Sequence, residues 1–353
     1  MKLEFYDFFS GCGGTSLGMQ KAGLNVRLGI DVDDQAEATY KANFKGADFI
    51  RTDIRELQVD ALQGFVRKRK RKIPVVFGAC APCQPFSKQN RADKQADNRR
   101  DLLREFHRFV RAYKPEYLFI ENVPGLQSVK ESDAPFSEFL ALLKELKYWH
   151  SHKVVMAYQY GVPQRRQRLV LIASRLSPIN FPAPTHGPGT RSPKLPTVWE
   201  RISHLPPIAA GEAHPEIANH QAANLSPKNL QRIAATPPGG GRADWPKSLW
   251  LDCHRDFSGH TDVYGRLPKD QPAAALTTKC HSLSNGRFGH PTQNRAISIR
   301  EAACIQTFPM SFKFLGTLSA MAGQIGNAVP VEMAQVFGKA IMNHHKRYLA
   351  TSS

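Results

Sequence analysis

Along the first half of this 353-residue chain, short and nearly unbroken apolar runs alternate with longer stretches whose apolar residues recur at helical spacing. Leu3 to Phe9, Val26 to Ile30, Val75 to Ala79, Tyr117 to Ile120 and Leu169 to Ala173 are runs of the first kind. Apolar residues at nearly every position mark strands covered on both faces. Between them, helices are predicted from Thr15, which can cap, to about Ala22, over Asp34 to Phe44, and from Ile54 to about Phe65. Leu102, Leu103, Phe106, Val110 and Tyr113 predict another, and Phe139, Leu140, Leu142, Leu143 and Leu146 one over Ser137 to Tyr148. Strands alternating with helices predict an α/β fold, in which ligands bind at the carboxyl ends of the strands. Near the C-terminus, Arg300 to Thr307 and Pro330 to Lys346 read as helices, with Gly326-Asn327-Ala328 as the turn between them.

The pattern breaks at about Ser177. Fifteen of the 25 prolines lie between Pro178 and Pro272, with three of the four tryptophans. Proline this dense defeats long helices and central strands, so short strands and ordered loops are expected around Trp199, Trp245 and Trp250. Tryptophans among apolar residues are not the composition of a disordered linker. Residues 1–183 are therefore expected to form one domain, 184–297 a smaller second one, and 298–353 a hinge with a helix returning to the first. Thr236 to Arg242 reads as a flexible tip carrying a cation, with Lys228, Arg232 and Lys247 nearby.

Charge narrows the partner. Lys and Arg number 48 against 30 Asp and Glu, a net +18, which favours a polyanion such as nucleic acid. Six consecutive basic residues, Arg67 to Lys72, are explained more simply as a solvated helix end than as a groove contact. No apolar run approaches a membrane span, and the acids near the N-terminus do not suit a signal peptide, so a cytoplasmic protein without membrane association is expected. Six scattered cysteines suit reduced thiols.

The candidate chemistry lies at strand ends. After Val75 to Ala79 comes Cys80-Ala81-Pro82-Cys83-Gln84-Pro85-Phe86-Ser87, where Pro82 stiffens the turn and holds Cys83 as a candidate nucleophile. On this motif alone a buried cysteine packed as a small hydrophobe explains it as well or better, and the reactive side chains at the other strand ends tip the balance. Tyr117 to Ile120 ends in Glu121-Asn122-Val123, and Gln164, Arg166 and Arg168 lead into Leu169 to Ala173. Gly11, Gly13 and Gly14 let the backbone approach a ligand and aim N–H groups at it, which favours a carboxylate. Asp31 follows the second strand, where α/β nucleotide sites hold ribose hydroxyls. Leu102 is expected in the core. Cys80-x-x-Cys83 has two rival readings: a redox pair, or half of a zinc site completed by Cys253-His254 or Cys280-His281. Ligands adjacent in sequence bind one ion poorly, which disfavours the zinc site.

Taken in order, Phe9-Ser10-Gly11-Cys12-Gly13-Gly14, Pro82-Cys83-Gln84, Glu121-Asn122-Val123, Gln164-Arg165-Arg166-Gln167-Arg168 and Gly326-Asn327-Ala328 resemble the motifs of the prokaryotic DNA (cytosine-5) methyltransferases. The resemblance implies a Rossmann-like domain that uses S-adenosylmethionine, joined to a target-recognition domain, in a restriction-modification setting. It implies that Asp31 takes the ribose, Val32 covers adenine and Asp53-Ile54 meets the adenine amino group, with Phe9, Ser10, Gly11, Cys12, Gly13, Gly14, Pro82, Leu102, Asn327 and Ala328 around the cofactor. Val32 stands where the family often has a large aromatic, which implies weaker stacking. Ala275-Leu276-Thr277 stands where Thr-Leu-Thr is usual, removing one hydroxyl from the DNA backbone.

By the same resemblance Cys83 attacks carbon 6 of a cytosine flipped out of the duplex. Glu121 stabilises ring nitrogen 3, Arg168 holds the base carbonyl, and Arg166 and Gln164 steady loop or base. Ser87, Arg99, Arg242, Thr277 and Arg295 are expected at double-stranded DNA. A monomer without an obligate protein partner is expected. Two rivals are a tRNA cytosine methyltransferase and a silent DNA-binding regulator. No Cys-Phe-Thr follows Glu121, which disfavours the first, and the intact Cys83, Glu121 and Arg168 disfavour the second.

Overall fold

The computed structural model describes residues 2–66, 73–82, 102–124, 134–252 and 262–352. They form two compact units, the first made of the chain up to 156 with 167–184 and 329 onward, the second of 157–166 with 185–328. In the first unit β1 (Glu4–Phe8), β2 (Asn25–Asp31), β3 (Asp48–Arg51), β4 (Val75–Ala79), β5 (Tyr117–Asn122), β6 (Trp149–Met156) and β8 (Gln167–Ser174) build one sheet. β7 (Gln164–Arg165) belongs to the second unit. The sheet order is β3-β2-β1-β4-β5-β8-β6, parallel from β3 to β5 and antiparallel where β8 joins β5 and β6.

That order decides where chemistry can happen. From β1 the chain winds outward to β2 and β3, then crosses back to β4 and β5, so the carboxyl ends of β1 and β4 flank a switch point, the place where open α/β sheets bind ligands. Because β8 runs against β5, its first residues lie beside the last residues of β5: Glu121 faces Val170 and Asn122 faces Leu169. β6 was not anticipated. As an edge strand paired only to β8 it leaves Trp149 46 % exposed, and its residues lack the apolar run that marked the others.

Helices α1 (Gly14–Lys21), α2 (Asp34–Asn43), α4 (Leu102–Tyr113) and α5 (Pro135–Glu145) follow the predicted segments. The predicted helix over 54–65 is instead a turn, a 3-10 segment at Val59–Leu62 and a single turn of α3 (Gln63–Val66). Asp53 explains the break, since its carboxylate accepts from the Arg55 backbone N–H at 2.9 Å and offers the chain a local alternative to helix. Thr15 is not a cap: Gly13, at φ +97°, occupies that position, and Thr15 lies inside α1. Phe8 packs on Phe77, Phe106 and Phe109 with ring centres 4.9–5.2 Å apart, so sheet and α4 share one aromatic core. Burying each such ring contributes about 1.5–3 kcal/mol.

In the second unit the expected short strands are nearly absent among the described residues: β7 pairs with the two-residue β9 (Ala273–Ala274), beside isolated bridges. Short helices replace them, α6 (Val198–Ile202), α7 (Pro227–Ala234), α8 (Ile299–Ile305) and α9 (Leu318–Asn327). α9 was not anticipated, and Gly326 and Asn327 are its last residues instead of a free turn. Arginines satisfy the carbonyls that lack a ladder. Buried Arg266 donates to the carbonyls of Ile233, Thr236 and His290 at 2.7–2.8 Å, and Arg287 to those of Gly239 and Gly240. The tip expected to be flexible is therefore clamped from inside. The last helix, α10 (Val331–Ser352), belongs to the first unit and crosses α1 so closely that a Cβ on Gly18 would lie 2.4 Å from that of Ala334.

Candidate active site

Cys83, Ser87 and Arg99 lie outside the described residues, as do Arg67 to Lys72 and Cys253-His254. What leads up to Cys83 is described. β4 is wholly buried, and past its end the buried Asn122 amide donates to the Ala81 carbonyl at 3.1 Å. The Asn122 Oδ1 in turn accepts from the Val123 N–H at 2.7 Å. The ends of β4 and β5 are thereby tied together one residue before Pro82. In the sequence Asn122 is marked only by the Glu121-Asn122-Val123 motif, and its partner Ala81 is not legible there.

Beside it, buried Glu121 forms an ion pair with Arg168, Oε1 to Nε 2.8 Å. The antiparallel β8 makes this possible, because only then does a residue at a strand's beginning meet one at a neighbour's end. Cys80 is half-buried, with its Sγ 3.4 Å from the Thr15 hydroxyl. Burial and the Glu121 carboxylate push its thiol well above the ordinary range, which keeps it protonated and a poor nucleophile. Among the described residues no group of three or more His, Cys, Asp or Glu could hold a metal ion.

At the switch point Phe9 leaves β1 with φ +58°, an uncommon conformation for a bulky residue, and turns the chain into the glycine loop. Asp31 holds that loop: one carboxylate oxygen accepts from the Gly11 N–H at 2.7 Å, the other from Asp33 N–H at 3.1 Å. Burial raises the Asp31 carboxyl while these bonds pull it down. Val32 is 65 % exposed, an apolar side chain left open next to the acid. Space around Gly11 is empty, and the Ser10 hydroxyl is buried without a hydrogen-bond partner. A carboxylate, an open apolar surface and an unsatisfied hydroxyl around one turn fit S-adenosylmethionine, which offers ribose hydroxyls, a purine face and an amino-acid end. Asp53 is engaged by Arg55, whose guanidinium lowers its carboxyl, and Ile54 and Leu102 are buried in the core. The Cys12 thiol is buried and pushed up to about 12.

Asp31→Ala is expected to weaken cofactor binding by about one to two decades, since a charge-assisted hydrogen bond contributes roughly 1.5–3 kcal/mol. Duplex DNA affinity should stay as it was. Calorimetry with S-adenosylhomocysteine checks this, and an unchanged dissociation constant would place the ribose elsewhere.

Within the second unit Gln164 and Arg166 are both buried and hold other chain segments. Gln164 accepts from the Leu276 N–H at 3.0 Å and donates to the Ile305 carbonyl at 3.1 Å. Arg166 donates to the carbonyls of Leu276 and Gly326, each at 3.0 Å. A Cβ on Gly326 would sit 2.3 Å from the Thr277 carbonyl, so only glycine permits this approach. These contacts tie the β7 segment to the chain around Leu276, Ile305 and Gly326. Gln306, which bonds Gln164 and the Ile325 carbonyl, is a further member that no sequence signal marked.

Asn327 is exposed and Ala328 half-buried, while Thr277 is half-buried with its hydroxyl accepting from the Lys279 N–H. Arg242 is half-buried. Arg295 corrects the expectation placed on it: fully buried, it makes a two-pronged ion pair with Glu301 at 2.7 Å and donates to the carbonyls of Ile208 and Ala296. A guanidinium so engaged braces the unit and is not offered to DNA.

A mostly parallel sheet of this order, closed on one side by an antiparallel pair, is the fold of the α/β methyltransferases, and solved structures agree. A prophage-encoded E. coli protein assigned as a DNA modification methyltransferase superposes with a TM-score of 0.75 at 23 % identity, over 98 % of this chain and 99 % of that one. Spodoptera frugiperda DNMT2 gives 0.64 at 15 % identity, over 96 % and 99 %. The C-5 cytosine-specific DNA methylase family model matches residues 3–343, and the chain belongs to that family. It is 39 % identical to the Type II methylase M.HgiDII of Herpetosiphon aurantiacus over 97 % of this chain and 95 % of the relative. To the Type II methyltransferase M1.HphI of Haemophilus parahaemolyticus it is 35 % identical, over 97 % and 87 %. Its activity is accordingly methyl transfer to carbon 5 of cytosine in DNA.

Proposed function

We propose that the chain methylates one short duplex sequence as the modification half of a restriction-modification pair, working in the cytoplasm as a monomer on the cell's own DNA. The observation that carries the site reading is the ion pair between buried Glu121 and half-buried Arg168, beside the Asn122–Ala81 tie, a carboxylate and a guanidinium at the ends of β5 and β8. Carbon 5 of cytosine is too poor a nucleophile to be methylated unaided, so covalent activation is required. Cys83 bonds to carbon 6, Glu121 stabilises the charge that moves to ring nitrogen 3, and Arg168 holds the base carbonyl. Loss of the carbon 5 proton later releases Cys83.

S-adenosylmethionine, when bound, supplies the methyl group. Asp31 would hold its ribose, Val32 would cover the adenine with Asp53 and Ile54 near its edge, and the turn from Phe9 to Gly14 would receive the amino-acid end, with Pro82 and Leu102 lining the rest. Residues 184–297 carry the choice of target, with Ser87, Arg99, Arg242 and Thr277 at the duplex. Names of the relatives support the Type II setting. Bisulfite sequencing of DNA from cells expressing the chain tests the proposal: one short motif methylated at nearly every occurrence is expected. Methylation confined to tRNA, or scattered without a motif, would overturn it.

A further inference from the structure

Under the glycine turn lies a group of polar side chains that neither the motifs nor the proposed chemistry uses. Asp7 one residue before the end of β1, Ser16 in the first turn of α1 and Tyr40 in α2 are all fully buried. The Ser16 hydroxyl donates to Asp7 Oδ2 at 2.6 Å and lies 3.0 Å from the Tyr40 hydroxyl. Asp7 Oδ1 is buried with no hydrogen-bond partner. Three elements of the first unit thus meet through one polar chain in an otherwise apolar interior. Such a network is costly to keep, because an unsatisfied buried oxygen forfeits its hydration.

Tyr40 connects this chain to the turn. A Cβ added at Gly13 would lie 2.3 Å from the Phe44 ring and 3.1 Å from that of Tyr40, and one added at Gly29 would lie 2.7 Å from the Tyr40 ring. The tyrosine is therefore packed against both the turn and β2, four residues of which separate Val26 from Asp31. Ser10, inside the turn, is in the same place: its hydroxyl is 3.0 Å from the position of a Gly29 Cβ, and its N–H donates to the Ile30 carbonyl. The Tyr40 ring fills the space in front of Gly13 and Gly29, and its hydroxyl is joined to Ser16, which in turn donates to Asp7.

We propose that Asp7, Ser16 and Tyr40 are positioning residues for the cofactor, a buried relay that sets the shape of the turn from Phe9 to Gly14. The proposal rests on the reading that this turn receives S-adenosylmethionine. A carboxylate can only accept, so with Asp7 ionised the relay has one polarity: Tyr40 donates to Ser16 and Ser16 to Asp7. With Asp7 protonated that polarity is no longer imposed, and the turn loses a fixed negative charge beneath it. Burial brings this change into the working range, raising the Asp7 carboxyl to about 7, with the Asp31 charge adding and the Ser16 bond opposing. The other titratable groups around the relay are Asp31 at the end of β2, Tyr40 itself and Cys80 after β4, all held towards their neutral forms by burial. A cationic cofactor binds better above an ionised Asp7, so affinity should rise with pH through about 7. Fold stability runs the other way: a carboxyl raised from an unfolded value of 3.8 contributes fully below that value and loses its contribution as pH rises through about 7.

The test uses the full chain, calorimetry and two ligands. With S-adenosylhomocysteine, Tyr40→Phe and Ser16→Ala should each weaken binding about fivefold, the effect of one neutral hydrogen bond, with duplex DNA affinity unchanged. With S-adenosylmethionine, wild-type affinity should climb between pH 6 and 8 and that of Asp7→Asn should stay flat. Tyr40→Phe keeps the ring against Gly13 and Gly29, so it decides the matter even where Asp7→Asn fails to fold. Wild-type affinity in Tyr40→Phe and Ser16→Ala, beside a loss in Asp31→Ala, would overturn the relay and leave the cofactor reading standing. Equal losses of cofactor and DNA affinity together with a lower melting temperature would reduce the three residues to core. No binding of either ligand by the wild type would remove the cofactor reading, and the relay with it.

Discussion

Duplex DNA carrying 5-fluorocytosine at the target base, given the protein and S-adenosylmethionine, is expected to yield a complex that survives denaturing electrophoresis and maps to the peptide containing Cys83. The route proposed here passes through a bond between the Cys83 sulfur and carbon 6 that breaks only when the substituent on carbon 5 leaves as a proton, and fluorine cannot leave that way. Cys83→Ser should give no complex, since a serine hydroxyl at neutral pH is far less nucleophilic than a thiolate. Cys80→Ser should be trapped like the wild type. Three residues upstream, the Cys80 thiol is kept protonated by burial and by the Glu121 carboxylate, and it is spent against the Thr15 hydroxyl. Trapping lost with Cys80→Ser and kept with Cys83→Ser would show that the wrong cysteine had been assigned.

Buried strands could be read from the chain because a covered strand has no choice but to be apolar: β4 and β5 are buried along their whole lengths, and both were found. Direction was not readable. The run Leu169 to Ala173 says strand, but nothing in it says that β8 runs against β5, and that reversal is what delivers Arg168 to Glu121. β6 escaped because solvent covers much of it, so its pattern was Trp-His-Ser-His instead of an apolar run.

The proline-rich part failed for a different reason. The sequence suggests surface charge there, yet Arg232 and Arg295 are buried, Arg232 donating to the Leu249 carbonyl and Arg295 to the Ile208 carbonyl and Glu301. A residue type fixes the donors that it carries, not whether they face DNA or the protein's own backbone. The Asp7 relay was invisible on the same ground. An acid inside an apolar strand pattern looks like an interruption until the partners from α1 and α2 are in place.

Glu121→Gln is expected to lower kcat by about 10²–10⁴-fold while leaving S-adenosylhomocysteine binding unchanged, because an amide keeps the size and a hydrogen-bonding edge but cannot carry the proton or charge that ring nitrogen 3 requires. Arg168→Ala should behave differently. It removes the partner 2.8 Å from a carboxylate whose side chain is 8 % exposed, and breaking a buried pair from one side costs about 3–5 kcal/mol of stability. Residues in direct contact do not act independently, so the double variant Glu121→Gln with Arg168→Ala should be more stable than Arg168→Ala alone, no charge then being left uncompensated. Activity should not recover with it. Denaturant melts and single-turnover kinetics on the four proteins of this cycle separate the two roles. A Glu121→Gln protein that keeps more than about a tenth of the wild-type single-turnover rate, against the 10²-fold minimum expected of an acid–base group, would make the pair a structural tie and move the proton chemistry to another side chain.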